Sequence, residues 1–145
     1  MKVERFEDLE VWKKSRLLAS SVYKLTKQDN FNKDFKFRDQ IRAAASSVMD
    51  NIAEGFGRGG NKEFLNFLAI ARGSIEETKS QLYRAKDVNY LTSEEFNEVF
   101  ELANSISRMI SSLIIYLKSS DYRGTRYSNE DEVLYLPSNF PDTAE

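Results

Sequence analysis

The side chains in this sequence whose type and spacing suggest chemistry are mainly cations. Some recur every seven residues and others lie one helical turn apart, as a surface for phosphate groups would require. The candidates for contact with a nucleic acid are Arg38, Arg42, Arg58, Lys62, Arg72, Lys79 and Lys86. Cations at such positions are more often solvated or paired along a helix, as Arg72 would be with Glu76. Phosphate binding is therefore the alternative to a structural role.

Catalytic chemistry has little support in the sequence. The 145 residues include no cysteine and no histidine, which excludes thiolate nucleophiles and removes the commonest general base and metal ligand. Glu54 has no second acid or base at a recognisable spacing, and the Glu-x-x-His pairs of di-metal bundles cannot occur. We therefore expect no enzyme activity, no cofactor and no metal site.

Charge divides the chain into two parts. The net charge of −2 is the sum of +2 on residues 1–118 and −4 on residues 119–145, where both prolines lie. The N-terminus is charged, and the longest apolar cluster, 113–117, is too short to cross a bilayer. We expect one domain over 1–118, an acidic tail over 119–145 that is partly ordered or flexible, a cytoplasmic location and no membrane partner.

Four segments carry apolar residues in alternating steps of three and four, the pattern of helices that pack lengthwise against one another. The rows are Val11, Ser15, Leu18, Val22 and Leu25; Phe37, Ile41, Ala44, Val48, Asn51 and Gly55; Phe64, Leu68, Ala71, Ile75, Thr78, Leu82 and Ala85; and Phe96, Val99, Ala103, Ile106, Ile110, Leu113 and Leu117. The sequence predicts an all-α fold, an antiparallel up-down four-helix bundle with helices at about 8–27, 35–55, 61–89 and 92–118.

Local signals refine this prediction. Thr92-Ser-Glu-Glu95 is a capping box, which predicts a helix start at Thr92. Four glycines between Gly55 and Gly60 predict a sharp end to the second helix, and residues 27–33 are predicted to form a loop. Asn51 occupies a core position, where we expect a buried side chain whose amide is hydrogen-bonded and fixes helix register. A ligand contact is the alternative role for Asn51.

The third predicted helix is apolar on more than one side. Its first two turns carry Leu65, Phe67 and Ile70 in addition to the core row. A helix that is apolar on two sides is normally buried on two sides, so we expect self-association through these residues. Gly73, in a patch of small residues, predicts close approach of another backbone, either within the bundle or in a second subunit.

Several blocks of sequence, taken together, resemble one known family. These blocks are Phe6-Glu-Asp-Leu-Glu-Val-Trp12, Gln40-Ile-Arg-Ala-Ala44, Asn51-Ile-Ala-Glu-Gly55 and Glu63-Phe-Leu-Asn-Phe-Leu-Ala-Ile-Ala-Arg-Gly-Ser74. The chain resembles the bacterial four-helix-bundle proteins of the 23S rRNA intervening-sequence family over about residues 5–118. The resemblance implies a homopentamer and no established enzyme activity. A related accessory protein of diversity-generating retroelements binds nucleic acid and a reverse transcriptase. The motif residues Asn51, Glu54, Gly55 and Gly73 inherit no catalytic role.

Two hypotheses for function follow from the sequence. The first is a non-enzymatic oligomeric scaffold that interacts with itself and with another protein. The alternative is a nucleic-acid-binding accessory protein that acts on rRNA or with a reverse transcriptase. The acidic composition, with a pI near 5.4, favours weak binding to RNA or DNA at most.

Overall fold

The structure is a computed structural model that describes residues 2–120, 134–136 and 140. In chain order its elements are β1 (Lys2–Val3), a 3-10 turn (Phe6–Asp8), α1 (Glu10–Thr26), α2 (Asp29–Lys33), α3 (Phe35–Gly57), α4 (Asn61–Asp87), α5 (Ser93–Ser119) and β2 (Leu134–Tyr135). The four long helices α1, α3, α4 and α5 are the four predicted ones, so the all-α bundle is confirmed. Most of the tail predicted over 119–145 lies outside the described residues.

The core is built from the predicted rows. Every member of the third and fourth rows is buried, and in the first two rows only Leu25 and Asn51 are half-buried rather than buried. α3 packs against α1 and α4, and α5 packs against α4 and α1, so α1 and α4 lie on opposite corners of the bundle. The contact between α3 and α4 is the most extensive, and that between α1 and α5 is the least extensive of the four.

The start of α5 confirms the predicted capping box. The Thr92 hydroxyl accepts a hydrogen bond from the Glu95 amide at 3.0 Å, and the Glu95 carboxylate accepts one from the Thr92 amide at 2.9 Å. The backbone amide of Thr92, followed by the side chain of Gln28, lowers the pKa of the Glu95 carboxyl. Gln28 lies just after α1, so this cap also links the end of α1 to the start of α5.

The end of α4 falls at Asp87, two residues before the predicted boundary. Asn89 adopts a φ of 63°, the left-handed conformation that closes a helix. The amide of Tyr90 then donates to the Ala85 carbonyl at 2.9 Å, and that of Asn89 donates to Lys86 at 3.0 Å. These two bonds form the Schellman arrangement, with asparagine in the place usually taken by glycine.

The connection predicted as a loop over 27–33 contains the short helix α2. Phe31 of α2 is buried, and its ring stacks on Phe37 and Tyr90 at centroid distances of 5.2 and 4.9 Å. The Tyr90 hydroxyl donates to Asp34 at 2.8 Å, and this bond raises the pKa of Tyr90. The prediction of a plain loop was wrong because an aromatic cluster at this end of the bundle holds the segment in a helical turn.

The connection between α3 and α4 also differs from the prediction. α3 continues through Gly55 and ends at Gly57, and Gly59 supplies the turn with a φ of 85°. Asn61 is fully buried, and its side-chain amide donates to the Ser120 carbonyl at 3.4 Å. The start of α4 is thereby tied to the end of α5. Among the described residues no helix is both long and apolar enough to cross a membrane.

Candidate interaction surfaces

Gly55 lies at the closest approach of α3 and α4. A Cβ atom added there would lie 2.5 Å from the Cβ of Phe67 and 3.1 Å from a ring carbon of Phe64. The prediction that Gly55 ends the helix was therefore wrong. Its missing side chain is used inside α3, where it allows Phe64 and Phe67 to pack directly on the backbone.

Asn51, one turn before Gly55, begins a chain of polar contacts along the same seam. Its side-chain amide donates to the Ser47 carbonyl at 2.8 Å and to the Ser47 hydroxyl at 2.9 Å. The Ser47 hydroxyl lies 2.9 Å from that of Ser74 on α4. The predicted hydrogen bond of Asn51 is present, although the side chain is half-buried rather than buried. Both Asn51 hydrogen bonds stay within α3, and the contact between Ser47 and Ser74 links α3 to α4.

Three of the four residues predicted for self-association lie in one row on α4, which leads from the edge packed on α3 to the outer face. Phe67, Ile70 and Gly73 follow one another at steps of three residues, and we call them the outer ridge. Ile70 is 52% exposed, Gly73 is exposed, and a Cβ at Gly73 would meet nothing within 4 Å. Of the two neighbours considered for Gly73, a backbone within the described part of the bundle is therefore excluded. A second subunit remains the prediction.

Leu65 is not part of this ridge. It lies seven residues before Arg72 and fourteen before Lys79, on the flank of α4 that faces α5, and it is half-buried against the core. The sequence grouped Leu65 with Phe67 and Ile70 because all three are apolar. The structure separates them because the two flanks of α4 are covered by different helices.

Two of the candidate phosphate-binding arginines already have partners in the bundle. The Arg42 side chain donates to the Thr26 hydroxyl at 2.7 Å and stacks over the Tyr23 ring at 4.2 Å, joining α3 to α1. Arg38 donates to the carbonyl and side chain of Asn32 and pairs with Asp39 at 3.0 Å. Both guanidinium groups therefore stabilise packing at the α1, α2 and α3 junction.

Arg58 and Lys62 flank the turn between α3 and α4 and differ in their surroundings. Arg58 pairs with Glu54 at 2.7 Å and lies over the Phe67 ring at 5.0 Å. The bond to Glu54 raises the pKa of Arg58. Lys62 is exposed and has no hydrogen bond or ion pair within the described part of the chain. Glu54, the remaining motif residue, thus acts as the partner of Arg58.

The remaining candidates form a line along the α5 side of α4, which we call the α4 cation line: Arg72, Lys79 and Lys86. Lys79 lies over the Phe100 ring at 5.5 Å and Lys86 over the Phe96 ring at 4.6 Å. Glu76 lies 3.5 Å from Lys79, so it pairs with Lys79 rather than with Arg72, the example considered from the sequence. Arg72 is exposed and has no hydrogen bond or ion pair among residues 2–120.

An exposed aromatic ring accompanies the α4 cation line. Tyr83 is 52% exposed and contacts Phe96 and Phe100 at centroid distances of 5.1 and 5.0 Å. Tyr83 was not among the residues predicted from the sequence, although its position four residues after Lys79 and three before Lys86 places it on the same flank. The seven candidate cations therefore do not form one surface. Arg38, Arg42 and Arg58 on or next to α3 contact neighbouring side chains. Lys62 is exposed at the start of α4, and the other three follow the side of α4.

Comparison with known proteins identifies the family. The sequence profile described as 23S rRNA-intervening sequence protein matches residues 7–112. A crystal structure of a protein with unknown function from the S23 ribosomal protein family of Bacteroides thetaiotaomicron superposes with a TM-score of 0.66. That protein is 27% identical, and the match covers 72% of this chain and 97% of the other. No curated protein matches the sequence. The chain belongs to the 23S rRNA-intervening sequence protein family.

Proposed function

We propose that this member of the 23S rRNA-intervening sequence protein family is a non-enzymatic scaffold that self-associates through the outer ridge of α4. The observation that carries the proposal is the exposure of Ile70, which lies between the half-buried Phe67 and the exposed Gly73. Apolar area of this kind is favourable to bury, and a glycine beside it permits a second backbone to approach closely.

A closed ring is the assembly that fits one such ridge on each copy. The ridge lies on a single helix, and the seam of α3 and α4 behind it is held by the packing at Gly55 and by the contact between Ser47 and Ser74. A rigid ridge that meets a different surface of the next copy forms a ring when the rotation closes. We propose a homopentamer, as the family resemblance implies, which presents five identical bundles to a further protein partner in the cytoplasm.

The test compares two isoleucines of similar exposure. Ile70→Lys places a charge on the ridge, whereas Ile115→Lys does the same on α5, where Ile115 is 69% exposed. By light scattering at micromolar concentration, the wild type should have five times the 16.8 kDa chain mass. Ile70→Lys should reduce the mass to that of one chain, and Ile115→Lys should leave it unchanged. A monomeric wild type would contradict self-association, and equal effects of the two variants would contradict the position of the ridge.

A nucleic-acid-binding accessory role is the second candidate function. The observation that favours it is the α4 cation line beside Tyr83, since cations next to an exposed ring suit phosphate contact and base stacking. The ion pair of Lys79 with Glu76 and the acidic tail oppose it. We therefore expect weak binding to RNA or DNA, confined to low ionic strength, in an accessory role on rRNA or with a reverse transcriptase.

Fluorescence anisotropy with labelled RNA and DNA across a salt series tests this second function. Arg72→Gln should weaken any binding at low salt, whereas Lys36→Gln, an equal loss of charge at an exposed position of α3, should not. Binding that survives physiological salt would favour the accessory role over the scaffold. Equal effects of the two variants would show that net charge, and not the α4 cation line, determines the affinity.

A further inference from the structure

The two short strands bring the ends of the chain together beside the seam between α1 and α5. β1 and β2 are antiparallel, with Lys2 opposite Tyr135 and Val3 opposite Leu134. Leu134 and Leu136 are 0% and 4% exposed, although they belong to the acidic tail. Because they are two residues apart in an extended segment, both side chains point to the same side, which is the core.

The surface beneath Leu136 is an apolar groove. Leu9 and Val11 at the start of α1 form one wall, and Met109 and Leu113 of α5 form the other. Phe140 extends the cover and contacts the Tyr116 ring edge-on at a centroid distance of 5.8 Å. A small cavity remains between the groove and its cover. The covering segment therefore lacks only a few of the dispersion contacts that a close-packed core would give it.

β1 is positioned by contacts that do not involve β2. The Asp8 carboxylate accepts hydrogen bonds from the backbone amides of Glu4 and Arg5 at 3.0 and 3.2 Å. These bonds lower the pKa of Asp8 and fix the turn that leads from β1 into α1. The edge of β1 is thus held beside the groove by the N-terminal turn, ready to pair with an extended segment.

The covering segment is separable from the bundle. Each strand of the ladder is two residues long, and isolated two-stranded ribbons are marginally stable. Both strands lie outside residues 7–112, which match the family profile. The separate structural match covers 97% of the related S23 protein but 72% of this chain. Thirteen residues separate Ser120 from Leu134. The segment is therefore comparable to a ligand tethered at high local concentration.

We propose that β1, the start of α1 and the C-terminal half of α5 form a peptide-binding groove, and that the chain's own Leu134–Leu136 with Phe140 occupies it in cis. Recognition is by strand addition to β1, with pockets for two apolar side chains two residues apart and for an aromatic ring four residues later. Release of the segment exposes the groove. This groove lies beside α1, at the corner opposite α4, so it is independent of the outer ridge.

A redox-controlled lock tests the placement of the segment. The chain has no cysteine, so Lys2→Cys with Tyr135→Cys introduces one pair, at positions that face each other in the ladder. Oxidation should give a disulfide within single chains, seen as a faster monomer band without reductant and as a linked peptide by mass spectrometry. Each single variant should give no such band. Failure to link, or links only between chains, would overturn the occupation in cis.

The same locked protein tests whether the groove binds a peptide. The probe is a fluorescein-labelled peptide of residues 130–143, and its control carries aspartate at the positions of Leu134 and Leu136. The oxidised protein should not bind the probe, and the reduced protein should bind it. Full-length Leu134→Asp with Leu136→Asp, checked for folding by circular dichroism, should bind about tenfold more tightly than wild type because the cis ligand no longer competes. If the oxidised and reduced proteins bind the probe equally, the proposed groove is wrong. It is also wrong if neither the reduced protein nor the aspartate variant binds the probe.

Discussion

Gly55 and Gly73 both lie inside long helices, where glycine is less favourable than alanine, yet their surroundings are opposite. At Gly55 an added Cβ would lie 2.5 Å from Phe67, whereas at Gly73 it would meet nothing within 4 Å. In the seam of α3 and α4, glycine is therefore required because Phe64 and Phe67 of the same chain fill the space beside its backbone. On the outer face of α4, no described residue of the chain fills the space beside Gly73. Glycine thus permits a contact within the chain at Gly55 and leaves room for a contact with a second chain at Gly73.

Gly55→Ala should have the largest effect among substitutions that test this contrast. Overpacking costs about 1–3 kcal/mol, and here it exceeds the gain in helix propensity because the nearest atom is Cβ of Phe67, which cannot move without the backbone of α4. We expect a lower free energy of unfolding in urea. Gly57→Ala is the matched control, since no described residue lies within 4 Å of a Cβ added there. The stability of this variant should equal or slightly exceed that of the wild type. A Gly55→Ala protein as stable as wild type would contradict the close contact.

The polar contacts of the same seam should have a smaller and non-additive effect. Ser47→Ala leaves the hydroxyl of Ser74, a residue that is 9% exposed, without its partner at 2.9 Å. It should lower the free energy of unfolding by about 1 kcal/mol. Ser47→Ala combined with Ser74→Ala should recover part of this loss, because no buried hydroxyl is then left unpaired. Urea unfolding of the four proteins gives the coupling. Strictly additive losses would show that the two hydroxyl groups are satisfied separately.

The fold was predictable because the core repeats a simple pattern. Each row of apolar residues with three-four spacing became the buried face of one helix, and the Thr92 capping box fixed one boundary. The errors arose where tertiary contacts outweigh local signals. Gly55 belongs to a cluster of glycines that indicates a helix end, but Phe64 and Phe67 require it inside α3. Residues 27–33 contain polar turn residues, but the buried Phe31 holds them as α2.

The candidate surfaces were less predictable because side-chain partners come from other helices. Spacing alone placed the α4 cation line correctly on one flank. Its residues are seven apart, and seven residues make about two turns of a helix. It could not show that Arg42 contacts Thr26 and Tyr23 on α1, which lie sixteen and nineteen residues away in the sequence. Nor could it place Leu134 beside Val3 of β1, because a pairing between the two ends of a chain leaves no periodic signal.

Gly73→Ala should have the smallest effect. It distinguishes the stability of the single chain from the strength of its association. In the Ile70→Lys background, where we expect single chains, alanine should raise the free energy of unfolding by about 0.5–1 kcal/mol, since it favours the helix and meets open space. In the wild-type background the same methyl group should weaken association if a neighbouring backbone lies against Gly73, which a dilution series by light scattering measures. Unchanged association would restrict the contact to Phe67 and Ile70. A loss of stability in the single-chain background would mean that Gly73 is packed within the chain, and the contrast with Gly55 would fail.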